Sequence, residues 1–168
     1  MDILHFIKSR HDGMRDQVLE LERQDGIKAR RATLELLSQD VQTYLLLEKD
    51  YLYPEISGLF PEAETLVQTG LASGSVIGRR TKALVKLLAM PLAEQGGAWS
   101  KRLAELKESV LKHFDLEERL LMPKLRALLR TEDREDLGEV FLEMEGELKA
   151  GNVPALAAPA VVAPRRRA

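Results

Sequence analysis

Residues 110–123 read VLKHFDLEERLLMP, and residues 41–54 read VQTYLLLEKDYLYP. Both run from valine to a ring three positions on, to glutamate four later, and to proline six after that: Val110, His113, Glu117, Pro123, and Val41, Tyr44, Glu48, Pro54. Apolar residues fill the gaps at steps of three and four, the period of an amphipathic helix. Adding 69 carries the second stretch onto the first, and takes Leu34 to Leu103, Leu37 to Leu106 and Leu52 to Leu121. The same shift pairs Val18 with Leu87 and His11 with Arg80. A helical hairpin written twice predicts a bundle with approximate twofold symmetry.

The rest of the chain supports that reading. A first helix is marked by Leu4, Ile7, His11, Met14, Val18 and Leu21, and a turn follows at Gly26. The second helix closes near Ser57-Gly58, where glycine suits a left-handed cap. Pro61 with Glu62 and Glu64 reads as a helix start. Gly70, Gly74 and Gly78 each cost a helix about 1 kcal/mol relative to alanine. A loop is therefore expected to about Ser73, with a third helix through Val76, Arg80, Ala83, Leu87 and Met90. Glu94 to Gly97 reads as a loop before the fourth helix. Thr131 reads as the N-cap of a fifth, with Leu137, Val140, Phe141, Met144 and Leu148 on one side.

The fold class is thus all-α: an antiparallel up-down four-helix bundle over 1–130, an additional amphipathic helix over 131–150, and a flexible Pro- and Ala-rich tail with a basic end over 151–168. The fifth helix is expected to pack outside the bundle or to meet a second copy or a protein partner.

Composition narrows the function. The formal net charge of −2 argues against general nucleic-acid binding. With no cysteine there is no disulfide, thiolate nucleophile or thiolate-held cluster. The opening MDILHFIKSR lacks the pattern of a secretory signal, and no apolar run reaches the length of a membrane span, so a cytoplasmic protein is expected.

Under the twofold arrangement His11, Tyr44, Glu48, Arg80, His113 and Glu117 meet at one level of the core. Two buried carboxylates are costly unless paired, protonated or bound to a cation. Histidine and glutamate aimed inward from facing helices are a recurring way to hold iron or manganese. A hydrogen-bonded core histidine remains the ordinary alternative for His11 and His113, and Tyr44 reads either as a phenolate ligand to ferric iron or as a core tyrosine donating to Glu48. His5 falls off the stripe and reads as a surface residue.

His11, the HFDLEERLLMP stretch and its EKDYLYP counterpart resemble the hemerythrin-like HHE family over roughly residues 1–130. The resemblance implies a four-helix bundle around a non-heme iron centre, with His11, Glu48, His113 and Glu117 at matching metal positions. It also implies a gas ligand, dioxygen or nitric oxide, for a sensor or stress protein. The chain departs from the family in having Tyr44 where histidine is usual and no histidine on the third helix. Arg80 aligns at a ligand position there, so a metal-free descendant, with Arg80 bridging Glu48 and Glu117, is the alternative and would act as a protein-binding or regulatory module. A ferritin-type oxidase is disfavoured because no Glu-x-x-His occurs.

Overall fold

The computed structural model describes residues 1–91 and 95–151. The tail from 152 onward, and Glu94 of the expected loop, lie outside the described residues. Among the described residues there is no strand. Helix α1 (Ile3–Arg23) is capped by Asp2, whose Oδ1 accepts from the Leu4 N–H at 2.8 Å. Then come α2 (Ile27–Leu47), a π-helical turn (Glu48–Leu52) and α3 (Tyr53–Ile56) as one continuous rod. After α4 (Ala63–Leu88) comes a second rod built the same way: α5 (Ala98–Leu116), a π-helical turn (Glu117–Leu121) and α6 (Met122–Leu128). Last is α7 (Thr131–Lys149). Its N-cap is Arg130 rather than Thr131, and Asp133 Oδ2 accepts from the Arg130 N–H at 3.3 Å.

α1, α2, α4 and α5 each pack on their chain neighbours, and α5 closes the ring against α1. Gln17–Asp40 with Gln24–Thr33, Arg80–Glu105 with Ala83–Arg102, and Arg15–Glu118 with Glu22–Lys107 join residues whose numbers rise on one side and fall on the other. So α1 and α2, α4 and α5, and α5 and α1 run antiparallel. Leu21, Leu37, Leu84 and Leu106 are fully buried between the four. α7 lies along α1 in the same direction. Arg134 meets Asp2, Phe141 stands edge-on to Phe6 at 5.6 Å, and Arg10 pairs with Glu145. Leu137 and Phe141 of its apolar stripe are thereby buried on the chain's own bundle.

The repeat is exact to the backbone in the second and fifth helices. The two π-turns begin at Glu48 and Glu117, and each is followed by proline in the first turn of the next segment. Tyr53 N–H bonds to the Glu48 carbonyl, and Met122 N–H to that of Glu117, five residues back in each case. Pro54 and Pro123 have no N–H, and their rings would clash with the carbonyl four residues before. The widened turn accommodates both demands, and such turns gather at functional sites.

Two expectations for the third helix fail. α4 runs unbroken through Gly70, Gly74 and Gly78. Its buried face is Leu66, Val67, Gly70, Gly74, Ile77, Thr81, Leu84 and Leu87, so Leu87 of the expected stripe is inward while Val76, Arg80 and Ala83 lie one residue out of phase. These follow from the buried face of α1 by adding 63, not 69: Leu4 to Val67, Ile7 to Gly70, His11 to Gly74, Met14 to Ile77. Residues 24–26 join α1 to α2, whereas 89–97 join α4 to α5, and those six extra residues are the difference between the two shifts.

Candidate metal centre

The π-turns open at the two glutamates, and each carboxylate is buried inside the bundle. Glu48 and Glu117 are 1% and 0% exposed, and His11 and His113 are 0% exposed. His113 Nε2 lies 3.0 Å from Glu48 Oε1, and Tyr44 OH donates to Glu117 Oε2 at 2.6 Å. These two contacts are mates under the twofold relation, each joining the ring of one rod to the carboxylate of the other. The acceptor for Tyr44 is therefore Glu117, not the Glu48 of its own helix.

The rest of the shell is asymmetric. His11 Nε2 lies 3.0 Å from both Glu117 Oε2 and Tyr44 OH, and Tyr53 OH donates to Glu117 Oε1 at 3.2 Å. The symmetry mates of His11 and Tyr53 are Gly74 and Met122, which offer Glu48 nothing. The two carboxyls consequently titrate far apart. Burial, then the Glu117 charge, pushes Glu48 up from 4.5 to about 8, although His113 opposes both. Burial also acts upward on Glu117, but the His11 hydrogen bond and the His113 charge outweigh it and hold the carboxyl at about 2. Burial depresses His113, yet the charge and hydrogen bond of Glu48 more than reverse this, to about 9. Burial and the two carboxylates raise the Tyr44 hydroxyl well above its ordinary 10, so it remains a donor.

Glu48, His113 and Glu117 offer ligand atoms that all lie within 4.8 Å of one another, a separation one cation can bridge. The rings are also held as metal-binding histidines are, with the outer nitrogen tied back and Nε2 aimed at the centre. His113 Nδ1 meets Ser73 Oγ at 2.6 Å, and His11 Nδ1 meets Glu118 Oε1 at 2.9 Å. Glu118 is itself fixed by Arg15 at 2.7 Å, and Phe114 stacks on the His11 ring at 3.9 Å. Two carboxylates and an imidazole suit iron, manganese or zinc, and together they match a divalent charge.

Arg80 does not join this group. Its guanidinium reaches away from the centre and donates to the Glu105 carbonyl, so it bridges neither carboxylate. The error follows from the constant shift of 69: the α4 residues facing the centre are Gly70, Ser73 and Gly74. Gly70 is there for room. A Cβ on it would clash with Tyr53 OH, so a larger residue would drive that hydroxyl off Glu117. Gly70→Ala is therefore expected to destabilise the chain by about 1–3 kcal/mol through overpacking, although alanine gains about 1 kcal/mol in helix propensity. A urea midpoint at or above that of the parent would refute this.

Sequence reasoning also passed over Ser73, Tyr53 and Glu118. Tyr53 reads as a packing residue near the helix end and Ser73 as the end of a loop. The signal for Ser73 was present in the four-residue spacing of Gly70 and Gly74, which marks an inward face once α4 is taken as continuous. His5 is exposed, as its position off the stripe implies.

The family model for the hemerythrin HHE cation binding domain matches residues 2–125. A search of curated proteins found no matching relative. The match spans all four bundle helices and the buried Glu48, His113 and Glu117, and on that ground the chain belongs to the hemerythrin HHE cation-binding family.

Proposed function

We propose that this chain holds a divalent cation, iron by family preference, at a reduced non-heme site formed by Glu48, His113 and Glu117, with His11 as the neighbouring imidazole. The observation that carries the reading is that group of three ligand residues, nearly all of their surface buried, with ligand atoms within 4.8 Å. A pair of carboxylates sealed from water is stabilised by a cation more than by any partner beside it. Bound iron would supply a redox-active centre with open positions for a small neutral ligand, and dioxygen or nitric oxide is the class we assign to it. The protein's part is to hold both Nε2 atoms inward, to keep Tyr44 and Tyr53 as donors on Glu117, and to exclude water. No helix among the described residues is long and apolar enough to cross a membrane, and a cytoplasmic sensor or stress protein fits that. The metal-free alternative loses its particular support with Arg80 turned away.

Metal content of the full-length chain after loading with iron(II), manganese(II) or zinc(II) tests the reading. About one ion per chain that survives gel filtration supports it. No retained metal with any of the three overturns it. Ser73→Ala, which frees His113 Nδ1, is expected to weaken cation affinity by about 10–100-fold with the helix intact. An unchanged dissociation constant would remove His113 from the ligand set.

A further inference from the structure

Between α2 and α4 the glycine face opens a groove of about 440 Å³, within the range of small-molecule sites. Its walls are mainly apolar, with Leu45, Leu46 and Leu71 along them. Tyr53 and Glu48 line one end, and Arg79 and Lys82 the other. The helical rise from Gly70 to Lys82 makes it about 18 Å long. Gly74 and Gly78 form its α4 side. A Cβ at Gly74 would stand 2.8 Å from Leu45 Cδ2, and one at Gly78 would meet nothing closer than Leu45 Cδ1 at 3.9 Å. The missing side chains are what leaves the groove open.

Its charge is as distinctive as its shape. In a chain of net charge −2, Lys49, Arg79 and Lys82 stand exposed along the rim. Arg79 bonds only to Ser75 Oγ, at 2.8 Å, and Lys82 has no partner among the described residues. Lys49 reaches Asp50 only at 4.0 Å. Lys49 lies at the Glu48 end, and the two cations at the other end, Arg79 and Lys82, have no acid beside them among the described residues. Such an end on an apolar trough fits a ligand with an anionic head and a hydrocarbon body.

We propose that this groove binds an amphipathic monocarboxylate, its head on Arg79 and Lys82 and its hydrocarbon body along Leu45, Leu46 and Leu71, running toward Tyr53 and Glu48. The site is concave and narrow, which favours a single free molecule over a membrane surface. The assignment does not depend on the cation centre.

Calorimetric titration of the full chain with decanoate, well below its micelle range, tests this. Saturable binding is expected, with butyrate at least ~10-fold weaker because fewer methylenes are buried. Gly78→Leu fills the groove with a better helix former and is expected to weaken decanoate by at least ~10-fold while the chain stays folded. An Arg79→Gln, Lys82→Gln double variant should weaken it by about 10-fold and flatten its salt dependence. No binding, equal binding of butyrate, or indifference to Gly78→Leu would overturn the proposal. So would binding only to phosphatidylglycerol vesicles, which would mark a membrane surface instead. Metal content measured on the same sample keeps the two questions apart: decanoate binding without retained metal sinks only the cation centre, and retained metal without decanoate binding sinks only the groove.

Discussion

At pH 7, Glu48→Gln is expected to leave the metal-free bundle within about 1 kcal/mol of the parent, whereas Glu117→Gln is expected to cost about 3–5 kcal/mol. The two glutamates are mates in sequence and are equally buried, so composition and burial alone would predict equal effects. Their partners differ. Glu117 accepts from Tyr44 and Tyr53 and contacts His11, and an amide there turns an –NH2 donor on these groups and removes a charge that supports His113. Glu48 meets His113 and, as the neutral acid, donates to Glu117, and burial beside Glu117 keeps it protonated up to about pH 8. A neutral amide of the same shape replaces a neutral acid at little cost. For the cation the ranking disappears. Each glutamate supplies a negative charge at the ion, so Glu48→Gln is also expected to weaken cation affinity by at least ~10-fold. Urea unfolding of the metal-stripped proteins, with metal retention on the same samples, separates the two effects. Equal destabilisation by both substitutions would mean that Glu48 is an anionic structural partner, and the asymmetry argued from Gly74 and Met122 would be wrong.

The sequence reveals one half of this centre much better than the other, for a physical reason. Tyr44, Glu48, His113 and Glu117 lie on the two helices whose register survives a single shift, proline and π-turn included. His11 lies on a helix whose apolar stripe is unambiguous. The α4 side is obscured twice. Six additional residues in the connection to α5 move the true counterpart of His11 from Arg80 to Gly74. Glycine propensity also argues for a loop where packing decides for a helix: Tyr53 and Leu45 need the space that a Cβ would take, and their burial outweighs about 1 kcal/mol per glycine. The partner of Tyr44 was not legible because its hydroxyl crosses to the other rod, and spacing along one helix carries no information about that crossing.

Cation affinity is expected to climb steeply as pH rises, and the stability of the metal-free chain to move the opposite way. Glu48 is raised from 4.5 to about 8 and His113 from 6.5 to about 9, so the folded chain binds these protons more tightly than the unfolded one. Their contribution to stability is complete below the unfolded values and is lost as pH rises through the folded ones. Glu117, lowered from 4.5 to about 2, acts in the other sense: its contribution is present above 4.5 and lost as pH falls toward 2. Together these place the stability maximum of the metal-free chain near about pH 5, with a decline toward pH 9. A cation requires Glu48 and His113 both deprotonated, so below about pH 8 its binding expels up to two protons, and affinity gains up to ~100-fold per pH unit. Added metal should therefore raise the melting temperature more at pH 7.5 than at pH 6, by mass action on the folded state. Thermal melts with and without iron(II) across that range measure both trends. The sign discriminates as well as the size. Ions held loosely by exposed acids, whose carboxyls titrate near 4, would show almost no slope above pH 6. A flat affinity there would remove Glu48 and His113 from the centre, whereas a steep one requires buried ligands that hold protons in competition with the metal.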